Sequence, residues 1–108
     1  MSDESPAAGL KGHQRKWLRG RAHGLEPVVH VGRQGVTDQV LAAVHAELLS
    51  HELIKVKLHA PDDKRAMAEE IARRCGAELA GLVGHVAIVY KAHPETPRLV
   101  VPASASGG

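Results

Sequence analysis

The sequence predicts a small α/β domain in the order α-β-α-β-α-β-β, a four-stranded mixed sheet packed with helices. Three observations carry that expectation. Leu53-Ile54-Lys55-Val56-Lys57-Leu58 alternates strictly, as a half-buried strand does. Val40, Leu41, Val44 and Leu48 recur at helical spacing. Gly84-His85 separates two apolar runs in the manner of a hairpin turn.

The elements follow in order. A first helix is expected over about 11–23, with Leu10, Trp17, Leu18 and Ala22 on one stripe and Gly24 as its stop. Gly20 weakens that helix. The first strand runs from Pro27 to Val31, with proline at its start. The second helix is capped by Thr37, has Asp38 in its first turn, and reaches about His51. In the second strand Ile54, Val56 and Leu58 face a core, while Lys55 and Lys57 face outward, which predicts one wet sheet face. Asp62 or Asp63 caps a third helix through about Cys75, ended by Gly76. Its apolar stripe is Met67, Ala68, Ile71, Ala72 and Cys75. Strands near 77–83 and 86–91 close the domain. Helices between strands favour parallel pairing, and the last hairpin adds an antiparallel pair.

Length and composition bound the possibilities. A chain of 108 residues makes one small domain that can bury a core without staples. The body is expected over 10–102, between flexible tails at 1–9 and 103–108. The 44% hydrophobic and 24% charged content is ordinary for a globular protein. A single cysteine excludes an internal disulfide and a paired-cysteine zinc site. No run of about 18 apolar residues exists, and the start is acidic and polar, so the expectation is no membrane span and a cytoplasmic location.

Gly32-Arg33-Gln34-Gly35 stands where the first strand hands over to the second helix. Glycines allow a sharp turn and a close backbone approach. The following helix start aims a partial positive charge back at the turn, and Arg33 adds a full one. That combination suits a phosphate. Net charge is +2, yet residues 10–35 hold six Lys and Arg (Lys11, Arg15, Lys16, Arg19, Arg21 and Arg33) against Glu26. Residues 36–52 hold Asp38, Glu47 and Glu52 with no Lys or Arg. The basic block flanking the glycine turn points to a polyanionic partner.

The strings Leu25-Glu26-Pro27-Val28-Val29-His30-Val31-Gly32-Arg33-Gln34-Gly35-Val36-Thr37, His51-Glu52-Leu53-Ile54-Lys55-Val56-Lys57 and Gly81-Leu82-Val83-Gly84-His85-Val86-Ala87-Ile88-Val89-Tyr90 stand in this order. Together they resemble the CRM domain, the chloroplast RNA splicing and ribosome maturation domain, in its bacterial single-domain YhbY-like branch. The resemblance covers about 10–102. It implies an RNA-binding domain whose fold is similar to the C-terminal domain of bacterial translation initiation factor three. It also implies association with ribosomal RNA in precursors of the large subunit, and RNA contact by the loop Gly32 to Gly35.

On that reading Gly32 and Gly35 let backbone N–H groups reach a phosphate, Arg33 binds one in bidentate fashion, and Gln34 donates to a 2′-hydroxyl or base edge. Lys11, Arg15, Lys16, Arg19 and Arg21 extend the footprint, with Lys55 and Lys57 as weaker candidates. Phe is absent, and Trp17 and Tyr90 are the only aromatics. Stacking therefore supplies little of the energy, and recognition of backbone shape in a folded RNA is expected. Trp17 reads as a core anchor, and Tyr90 as a strand residue with its hydroxyl outward.

No catalytic set, cofactor motif or metal site is read from the sequence. His13, His23, His30, His45, His51, His59, His85 and His93 lack ligand spacing and read as scattered surface histidines. Cys75 reads as a buried thiol, and the glycine turn lacks the ending of a nucleotide-binding loop. The alternatives are a binder of another structured RNA, a small enzyme acting on RNA or nucleotides, and a protein-interaction module docking through the sheet or the second helix, for which the acidic stretch 36–52, with Glu47 and Glu52, would matter more than the basic helix. Oligomeric state is left open.

Overall fold

A computed structural model describes residues 10–102. The expected tails at 1–9 and 103–108 lie outside the described residues. The elements are α1 (Gly12–Ala22), β1 (Pro27–Val31), α2 (Asp38–His51), β2 (Leu53–Leu58), α3 (Lys64–Arg74), β3 (Glu78–Val83) and β4 (Val86–Tyr90). This is the expected order. The sheet order is β1-β2-β4-β3. β1 pairs with β2 in parallel, and β4 is antiparallel to both β2 and β3. The helix between β2 and β3 does produce parallel strands, but β4 folds back into the gap between them. Only one parallel pair is therefore hydrogen-bonded.

Local chemistry fixes the boundaries. Thr37 Oγ1 accepts from the Val40 N–H at 3.1 Å and starts α2. Asp63, rather than Asp62, caps α3 by accepting from the Ala66 N–H. Gly76 ends α3 at φ +64°, the left-handed conformation that glycine adopts without strain. Gly24 does not serve α1 in that way. The helix closes through bonds from His23 to Gly20 and from Leu25 to Ala22, with no left-handed residue at the stop.

Two clusters build the interior. α2 and α3 cover one face of the sheet, where Val44, Leu48, Ala68 and Ile71 pack on Val31, Val56, Leu58 and Val89. α1 lies on the opposite face, where Leu18 and Ala22 pack on Leu53, Ala80 and Ile88. The expectation of one wet face is therefore corrected. Leu53 shares its side of β2 with Lys55 and Lys57, and α1 covers the Leu53 end of that face. Lys55 and Lys57 are half-buried rather than fully solvated. Trp17 is also half-buried; it packs against the second cluster from outside, with the Arg21 guanidinium 5.5 Å from its ring centre. Tyr90 packs against the same cluster.

The acidic residue Glu52 is the buried exception, 1% exposed. It alone links α2 to β2, at φ +66°. Its carboxylate accepts from the backbone N–H groups of His93, Arg98 and Leu99 at 2.7–3.1 Å. This ties the segment after β4 across the sheet end, and Leu99 and Val101 then pack against the second cluster. Gln14 adds a bond to the Pro102 carbonyl. Burial alone would push the Glu52 carboxyl up; the three N–H groups and the charge of Arg98 outweigh it and hold the group below its ordinary value. Glu52 is thus unavailable for the docking role offered above.

Candidate nucleic-acid interface

β1 ends at the sheet edge, and the chain turns there. The Gly35 N–H donates to the Gly32 carbonyl at 3.0 Å, closing a four-residue turn with Arg33 and Gln34 exposed at its tip. Gly35 sits at φ +76°, so an L side chain there would be strained. A Cβ on either glycine would meet nothing within 4 Å. The space a side chain would take lies open for a ligand's backbone. The Gly35 N–H itself is committed to the turn. α2 begins three residues later with two of its first amide groups bonded to Thr37 and with Asp38 beside them. The full positive charge at this place therefore comes from Arg33.

The loop closes one end of a groove of about 670 Å³, walled by Val28 and His30 of β1 and by Gln39, Val40 and Ala43 of α2. His30 is paired with His59: Nδ1 and Nε2 are 2.9 Å apart and the rings stack at 5.1 Å. Both lie on the surface as expected, but they are paired rather than scattered. Their proximity follows from parallel pairing, since β1 and β2 end side by side and His59 follows β2. His93 is likewise a turn-former, its Nδ1 accepting from the N–H groups of Glu95 and Thr96.

The predicted cations fall into three groups. Lys55 and Lys57 lie on the α1 side of the sheet, with Lys57 in register with His30 next to the loop. Lys16 and Arg19 overhang the same face from α1, lining a cleft of about 910 Å³ together with Lys55. Lys11, Arg15 and Arg21 do not line that cleft, although Arg15 shares a neighbouring pocket with Arg19 and Val83, and Arg21 one with Lys16. The Lys11 N–H bonds Gln14 at the helix start, Arg15 donates to the Leu10 carbonyl, and Arg21 lies over Trp17. The structure therefore gathers Lys16, Arg19 and Lys55 around one cleft, with Lys57 on the same sheet face, while Arg33 stands at the β1 edge in the groove with α2.

Among the described residues no three His, Cys, Asp or Glu side chains converge to hold a metal ion, and no helix is long and apolar enough to cross a membrane. Cys75 is buried with its Sγ 3.8 Å from the Leu41 carbonyl, and burial pushes its thiol up, against the pull of Lys91 and Arg74.

Comparison with known proteins decides the family. The CRS1 / YhbY (CRM) domain matches residues 10–91. The chain belongs to the CRM domain family. It is 38% identical over 88 residues to a probable RNA-binding protein of Pseudomonas aeruginosa, covering 80% of this chain and 85% of that one. It is 32% identical over 95 residues to a probable RNA-binding protein of Bacillus subtilis, covering 86% and 99%. A probable RNA-binding protein of Methanocaldococcus jannaschii is 40% identical over 86 residues, 76% of this chain but 63% of the archaeal protein. The solution structure of a candidate RNA-binding protein of Staphylococcus aureus superposes with a TM-score of 0.75 at 28% identity, covering 86% of this chain and 99% of that one. The α/β fold expected of a CRM domain is the fold observed.

Proposed function

We propose that this CRM domain is a non-enzymatic RNA-binding protein whose target is ribosomal RNA in precursors of the large ribosomal subunit. One observation supports the RNA-binding part: the exposed Arg33 turn follows β1 directly after His30, whose register partner on β2 is Lys57, so cations stand on both strands at this sheet end. The names of the bacterial relatives support the same reading. The ribosomal target rests on the family resemblance. Gly32 and Gly35 admit the RNA backbone, Arg33 and Lys57 neutralise phosphates, and Gln34 reaches a 2′-hydroxyl.

Arg33→Glu tests the loop. It reverses charge at an exposed tip, so the circular dichroism spectrum stays native while affinity for ribosomal RNA falls about tenfold or more. Unchanged affinity would remove the loop from the interface. On a sucrose gradient of cell lysate, wild-type protein migrates with large-subunit precursors and leaves them at high salt. Confinement of wild type to the free fractions would reject the ribosomal target.

A further inference from the structure

We infer that the cleft between α1 and the open half of the sheet seats an unpaired segment of RNA, with at least one unstacked base on its apolar floor and the neighbouring phosphates on Lys16, Arg19 and Lys55. This rests on the RNA-binding reading and adds the state of the RNA at this place. The floor is unusual for a sheet face beside a helix. Val83 is 60% exposed and Leu25 40% exposed, and both line the cleft with Val86 and Ile88. Three cations stand around it, and Glu26 is the one acid among its described lining residues.

Two of the cations are fixed in place. The aliphatic stem of Arg19 lies on Gly81, where a Cβ would come within 2.5 Å of Arg19 Cδ and 2.9 Å of Cγ. Its Nη1 then donates to the Ala80 carbonyl at 3.1 Å. Gly81 thus seats the Arg19 side chain on β3 at the border of the cleft, where a neighbouring pocket with Arg15 and Arg65 begins. Lys55 Nζ donates to the His23 carbonyl at 3.3 Å, so the lysine bridges from β2 to the end of α1. Holding a cation before the ligand arrives reduces the ordering cost of binding.

The shape selects the form of RNA. A duplex keeps its bases stacked inside and shows phosphates and sugars outside. It can reach the cationic rim but leaves Val83 and Leu25 uncovered. An unstacked base has an apolar face for that floor, and its own phosphates reach the rim. From the cleft the strand continues past Lys57 and His30, which are in register on the same side, to the Gly32–Gly35 turn.

The test uses the full chain with two RNAs, an oligouridylate of about twelve nucleotides and a fully paired hairpin. Val83→Ser lowers oligouridylate affinity about tenfold and leaves the hairpin unchanged, whereas Lys55→Gln and Arg33→Glu weaken both. Oligonucleotide carrying 4-thiouridine crosslinks to residues of the cleft. If both cleft variants keep wild-type oligouridylate affinity while Arg33→Glu still weakens it, the cleft assignment falls and RNA binding stands. If Val83→Ser weakens both RNAs equally, or neither, the unpaired base on the floor is rejected. If wild type binds neither RNA, the RNA-binding reading itself falls.

Discussion

At the scale of single residues, Glu52 shows how a buried charge is tolerated. Three backbone N–H groups and Arg98 satisfy it, and its left-handed backbone makes the one-residue link between α2 and β2. Hydrogen bonds to a charged group contribute roughly 1.5–3 kcal/mol each, so Glu52→Ala, which leaves three donors unmet, should cost about 3 kcal/mol or more in urea unfolding. The pH dependence has a fixed sign. The folded pKa lies below the ordinary value of 4.5, so the stabilisation is full above that value and disappears as pH falls through the folded one. Glu52→Gln should therefore be less stable than wild type at neutral pH and converge on it in acid; a gap that persists unchanged into acid would reject the charge as the cause. Nothing in the sequence near Glu52 marks this role. Its partners lie 41–47 residues further on, and an acid after a helix end reads as surface. Cys75 was legible because its evidence is local: it continues the apolar stripe of α3 and ends up buried.

Among the elements, α1 depends most on tertiary support. It carries a glycine in its interior, and its burial rests mainly on Leu18 and Ala22, both fully enclosed. Leu18→Ala should cost about 3 kcal/mol. The loss should speed hydrogen exchange in α1 more than in α2, whose contacts lie in the other cluster. Equal acceleration in both helices would mean that the two clusters unfold as one. The elements themselves were readable, since caps, periodicity and glycine stops are local signals. The layer that α1 occupies was not. Alternation in β2 separates Lys55 and Lys57 from Ile54 and Val56, but it does not report what lies above the lysines. One clue was present: Leu53 has the parity of the lysines, and an apolar residue at one end of a polar side marks where a cover ends.

Across the whole molecule, charge is arranged by the fold more than by the chain. Lys16 and Arg19 come from α1 and Lys55 from β2, yet they line one cleft, and Lys57 shares the sheet face of Lys55. Affinity for single-stranded RNA should fall linearly on logarithmic axes with added salt, by about 0.7 per phosphate neutralised. Lys55→Gln should flatten that slope by about one such step. A slope indifferent to the variant would place Lys55 outside the contact. The glycine turn and the basic helix were visible in the sequence, whereas the meeting of Lys57 with His30 beside the turn required the parallel register of β1 and β2. The clamp on Glu52 has one further bearing, on where the domain ends. The family match stops at residue 91, one residue beyond β4, while the donors that satisfy Glu52 come from residues 93, 98 and 99. A chain cut at residue 91 would keep every strand and helix but lose the three N–H groups on Glu52 and the packing of Leu99 and Val101. The shortest self-sufficient piece of this protein is set by the position of its last hydrogen-bond donor, which lies beyond its last strand.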